Sequence, residues 1–69
     1  MITEIGIAAG DIWHYLDQHG SATLDEISKK ISKPRELLLM SLGWLAREGH
    51  VSLAGPETGY RASLNPSRR

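Results

Sequence analysis

At Gly49 the period of the apolar residues changes, and no other feature restricts the fold of this 69-residue chain so strongly. Before Gly49, apolar positions recur three and four apart, the spacing that lines one face of an α-helix. After it, Val51 and Leu53 alternate with His50, Ser52 and Ala54, and Tyr60, Ala62 and Leu64 alternate with Arg61 and Ser63. That is the two-residue period of a half-buried strand. Gly55-Pro56-Glu57-Thr58-Gly59 lies between the two runs and has the composition of a turn, so a β-hairpin is expected there. The chain is therefore expected to be α+β, mainly α with a small C-terminal hairpin.

Three helices fit the residues before Gly49. Ile5, Ala9, Ile12 and Leu16 share one face of a first helix over about residues 4–18, which Gly20 ends. Gly6 and Gly10 each weaken it by up to about 1 kcal/mol relative to Ala. Either they form a notch for a closely packed helix, or the start frays and the helix begins near Ala8. Ser21-Ala22-Thr23 is short and can form a stub strand. Thr23-Leu24-Asp25-Glu26 has the pattern of a capping box and opens a second helix, about 24–31, with Leu24, Ile27 and Ile31 inward. Ser32 is placed to cap a third helix with Pro34 in its first turn, running to Glu48 and closed by Gly49. Three helices, a short turn between the last two, and a two-stranded hairpin give the winged helix-turn-helix layout. One domain over residues 1–64 and a disordered polar tail over 65–69 are expected.

Two clusters carry a resemblance. Ala9-Gly10-x-Ile12-Trp13-x-x-Leu16 and Leu42-Gly43-Trp44-Leu45-Ala46-Arg47-Glu48-Gly49 resemble a family of small prokaryotic winged helix-turn-helix proteins of unknown function. The resemblance spans about Ile5 to Leu64. It implies the fold and a DNA-binding or regulatory role, and brings no catalytic residue, cofactor or target.

Composition bounds the alternatives. A chain this short buries only about 60% of its unfolded surface, so its stability is marginal unless the core is tidy or a partner helps. No cysteine is present, which fits a reducing cytoplasm. The start MITEIGIAAGDIW lacks the basic, then apolar, pattern of a signal peptide, and no segment approaches the roughly 20 apolar residues of a membrane span. His14 and His19 are five apart, about 140° around a helix, so they cannot grip one ion from one face. Asp11, Asp17 and Glu4 are scattered acids. With no nucleophile elbow and no phosphate-binding glycine loop, an enzyme is not expected, nor a cofactor, a metal or a small-molecule substrate.

The third helix divides by face. At about 100° per residue, Pro34, Leu38, Ser41, Leu42 and Leu45 share the arc that builds a core. Leu37, Met40 and Trp44 lie around one flank, either covered by the first helix or hairpin, or meeting a second copy of the chain. Trp13 and Tyr15 on the first helix are equal candidates for such a protein interface, and a homodimer is expected. Lys29, Lys30, Lys33 and Arg35 hold half of the eight Lys and Arg within seven residues, at the corner that faces DNA in helix-turn-helix proteins. Glu36 stands on the same surface, and Arg47 and Arg61 can add contacts from the helix end and the wing strand. The leading expectation is a DNA-binding transcriptional regulator reading double-stranded DNA with a recognition helix over residues 33–48. The alternative is a winged helix used for protein contacts or homodimerisation without DNA. A net charge of zero and a wing loop with Glu57 and no base weigh toward the alternative.

Overall fold

The computed structural model describes residues 1–66, so the last three residues of the expected tail lie outside the described residues. The chain forms α1 (Ile2–His19), β1 (Ser21–Ala22), α2 (Leu24–Lys30), α3 (Arg35–Arg47), β2 (Val51–Leu53), a 3-10 turn (Pro56–Thr58) and β3 (Ala62–Leu64). The expected three helices and C-terminal hairpin are all present. The stub strand is real and joins the hairpin, giving a three-stranded antiparallel sheet in the order β1-β3-β2. Its register pairs Ser21 with Ser63 and Ala22 with Ala62 on one side of β3, and Val51 with Leu64 and Leu53 with Ala62 on the other.

Helix α1 does not fray at its glycines. It runs unbroken from Ile2. Its first turns bury no residue but are tied by the Ile5 N–H to the Met1 carbonyl and by the Ser41 hydroxyl near the Ile5 carbonyl, and from Ala8 onward Ala8, Ala9, Ile12 and Leu16 are buried. A Cβ added at Gly6 or Gly10 would meet nothing within 4 Å, so no helix of this chain fills the expected notch. Helix α2 opens with the capping box read from the sequence. The Thr23 hydroxyl accepts the Glu26 N–H at 3.2 Å, and the Thr23 N–H donates to the Glu26 carboxylate at 2.8 Å.

Helix α3 begins later than the sequence suggests. Pro34 is the N-cap residue, with ψ 139, and Ser32 caps nothing in the helix. A residue before proline is kept out of the α region by the ring, so Lys33 cannot lie in the first turn and the helix starts beyond Pro34. Its end matches expectation. Gly49 adopts φ 82 and donates its N–H to the Ala46 carbonyl at 3.1 Å, while His50 donates to Leu45 at 2.9 Å. These are the two bonds of a Schellman ending, which needs a residue comfortable with positive φ.

The hairpin loop departs from simple alternation. Tyr60 lies outside β3, in the left-handed region at φ 54. Its N–H and that of Thr58 both donate to the Gly55 carbonyl at 3.1 Å, coiling the loop into a tight turn. Packing of the Tyr60 ring against the core offsets the roughly 1 kcal/mol that such a conformation costs a non-glycine residue. The same loop folds back onto the body, where the Leu24 N–H donates to the Gly59 carbonyl at 3.1 Å. One of the free N–H groups in the first turn of α2 thereby gains a partner, and the wing tip is fastened to that helix.

The core lies between α1, α2, α3 and one face of the sheet. Ile12, Leu16, Leu24, Ile27, Leu38 and Leu42 are its largest fully buried apolar side chains. Each contributes about 1.5–3 kcal/mol relative to exposure. Among the described residues Ser41 is the one buried polar residue, and it marks the α1–α3 crossing. Its Oγ donates to the Leu37 carbonyl at 2.8 Å and lies 3.2 Å from the Ile5 carbonyl of α1.

Candidate functional site

The turn from α2 to α3 brings four basic residues to one end of the helix pair. Lys29 and Lys30 are both exposed in the last turn of α2, and Lys33 is half-buried in the connection. Arg35 opens α3, and its guanidinium is paired with Asp25 in the first turn of α2. This pair ties the starts of the two helices together, and it neutralises part of the corner. Both partners are more than half exposed, so the pair is worth at most about 1 kcal/mol.

No side chain caps the N-terminus of α3. Its first-turn N–H groups therefore point outward without an intrahelical partner, at the positive end of the helix dipole. Glu36 is exposed beside them. Arg47 is exposed at the opposite end of α3, twelve residues and about 18 Å from Arg35. Arg61 lies by the sheet, its guanidinium donating to the Ser21 hydroxyl at 3.2 Å. Its charge also bears on Glu26 at the start of α2. The seven residues read from the sequence as a DNA-binding set thus separate into the corner, the far end of α3, and the sheet.

Glu26 is held below the usual carboxylate range, first by the Thr23 backbone N–H, with Arg61 and Lys29 adding smaller attraction. The wing loop carries Glu57 and turns inward, so it offers no basic side chain and does not project from the body.

The apolar set divides as well. Tyr15 is half-buried against the core and lies over His19 with ring centroids 4.3 Å apart. Trp13 is half-buried, edge-on to His14. Leu37 is half-buried, whereas Met40 and Trp44 remain 44% and 47% exposed. Leu39 and, on α1, Ile2 and Ile7 are further exposed apolar residues that the sequence pattern does not single out. For Ile7 a signal exists, since it sits well away from the Ile5–Ile12 face by helical count. Among the described residues no three His, Asp or Glu side chains gather as a metal site, and no helix is long and apolar enough to cross a membrane.

Compared with known protein families, residues 1–61 match the family described as winged helix-turn-helix domain (DUF2582), and the chain belongs to it. This agrees with the resemblance carried by the AG-x-IW and GWLAREG elements. No curated protein and no solved structure matches the chain.

Proposed function

From its membership of a winged helix-turn-helix family, we propose that this protein is a cytoplasmic DNA-binding regulator. In this reading the α2–α3 corner rests on the phosphate backbone and the start of α3 enters the major groove. The observation that carries it is the uncapped N-terminus of α3, set beside Lys29 and Lys30. Backbone N–H groups at a helix start, a positive dipole end and flanking ammonium groups together suit a phosphate. Arg35 contributes by exchanging Asp25 for phosphate, and Lys33, Arg47 and Arg61 are secondary contacts. The inward wing and the neutral chain keep the contacts few, so affinity is modest and falls with salt.

The test is a titration of short duplex DNA at low ionic strength with dilute protein. Lys29→Glu with Lys30→Glu is expected to weaken binding, and each phosphate left without its lysine lowers the salt slope by about 0.9. Absence of any wild-type binding at low salt refutes the proposal.

A second reading is favoured by a specific observation, the exposure of Met40 and Trp44 on the face that α3 would present to a groove. Apolar groups there suit a protein surface better than DNA, and tryptophan is enriched where interfaces are strongest. We propose that this face serves self-association as a homodimer.

A further inference from the structure

The outer face of α3 is self-complementary about its own midpoint. Glu36 lies near its start and Arg47 at its end, eleven residues apart, and no ion pair engages either among the described residues. Eleven residues bring the helix around to within about 20° of the same direction, so both lie on one edge of the face, about 16 Å apart along the axis. Within one chain they cannot meet. Between them lie Met40 and Trp44, about 40° apart in direction, and Gly43. A Cβ added at Gly43 would meet nothing within 4 Å. A glycine on the exposed face of a helix costs up to about 1 kcal/mol relative to alanine, and no neighbour among the described residues requires it.

We infer that α3 packs against α3 of a second copy, antiparallel, across a two-fold axis that lies outside the Met40–Gly43 face, level with the helix midpoint between positions 41 and 42. This rests on the homodimer reading and gives it a geometry. A two-fold interface uses the same patch twice, so each residue must face its own complement. Under this operation residue 36 comes level with residue 47 of the partner, and acid meets base twice. Residue 40 comes level with residue 43, which sets each Met40 within one residue's rise of residue 44 in the second copy and beside the bare backbone at position 43. Both large apolar side chains left open on this face are then covered, and Gly43 permits close approach of the two helices.

The same face is the one a major groove would receive. Dimer and DNA therefore compete for α3, and the dimer is a masked form. The interface does not depend on the DNA reading, because its residues complement one another whatever their distance from the basic corner.

Sedimentation equilibrium across a concentration series tests it. The wild type associates to a dimer. Glu36→Arg and Arg47→Glu each turn two attractive exposed pairs into repulsive ones, and each alone is expected to weaken dimerisation roughly tenfold or more. An equimolar mixture of the two variants restores association as a heterodimer, because one chain is then basic and the other acidic at both positions, and both 36–47 contacts again join opposite charges. The swap Glu36→Arg with Arg47→Glu in one chain restores the homodimer fully, since every contact again joins opposite charges. Both positions are on the surface, and far-UV circular dichroism verifies that the fold is kept. A wild type that stays monomeric at every concentration overturns both the homodimer and its geometry. A wild-type dimer that is indifferent to Arg47→Glu, or a swap that fails to associate, overturns the antiparallel geometry alone. Each of these results leaves DNA binding by dilute protein untouched, which the duplex titration reads separately.

Discussion

Replacing Ser41 by leucine should open the joint between α1 and α3. The Ser41 side chain is fully buried, and its Oγ stands 3.2 Å from a main-chain oxygen of α1. At that separation a small side chain is a condition of the crossing, and a leucine's extra carbons have no free volume to enter. Overpacking of this kind costs about 1–3 kcal/mol. A domain of this size has a total stability of only about 3–10 kcal/mol at 0.05–0.15 kcal/mol per residue. The melting temperature should fall by roughly 5–20 °C, at 4–8 °C per kcal/mol. Ser41→Ala is the companion. The Leu37 and Ile5 oxygens belong to helices and keep their main-chain donors, so losing the hydroxyl strands no buried group, and the alanine gains helix propensity. Its effect should stay within about 1 kcal/mol. Urea unfolding followed by far-UV circular dichroism, at one low protein concentration so that association does not add stability, measures both. Ser41→Leu as stable as the wild type would show that the helices do not touch there, and a large loss in Ser41→Ala would show that the hydroxyl matters more than its size.

Thr23→Ala removes the capping box of α2 and should cost about 1 kcal/mol in the same denaturation assay. Because the folded state lowers the Glu26 pKa, its contribution is present above the ordinary glutamate value of 4.5 and is lost as pH falls through the lower folded value. Glu26→Gln should therefore flatten the stability curve across that acid window, and a curve unchanged from the wild type would contradict the assignment. Gly59→Ala, at φ 73, should cost about 1–2 kcal/mol and speed hydrogen exchange at the Leu24 amide, which the wing tip protects. Leu42→Ala in the core should cost about 2–5 kcal/mol, whereas Trp44→Ala, nearly half exposed, should leave monomer stability almost unchanged while weakening association.

Much of the fold is legible in the sequence because it rests on local rules. The Thr23–Glu26 box, the Gly49 ending and the inward arc of Leu38, Leu42 and Leu45 each follow from a spacing of three to five residues. Pro34 points to the correct neighbourhood but suggests the wrong role. Proline favours a helix start, yet it also bars the preceding Lys33 from the helix, and the second effect sets the boundary. The hydrogen bond from Leu24 to Gly59 has no signal in the sequence, since it joins residues 35 apart and depends on how the sheet lies against α2. That bond turns the wing inward, so the loop's composition is legible and its direction is not. At the candidate site, the helical angle of Trp44, about 110° from the centre of the core arc, leaves open whether α1 or the hairpin covers it, and only the packing of the elements leaves it 47% exposed. The engagement of Arg35 by Asp25, ten residues away across a turn, is set by the angle between two helices and no local spacing encodes it.

The order β1-β3-β2 has a temporal meaning. The central strand, Ala62–Leu64, follows both of its neighbours in the chain, and it alone holds together strands that begin at residues 21 and 51. The three helices before it can coil as they are made, because helical bonds are local. The sheet cannot close until β3 has been synthesised, and until then Ala22 and Val51 border a gap with no middle. The native state therefore waits on a segment that the ribosome delivers after α1, α2 and α3. A stop codon at Ala62 should yield a chain that keeps helical content but never acquires cooperative unfolding, and that remains a ready substrate for proteolysis.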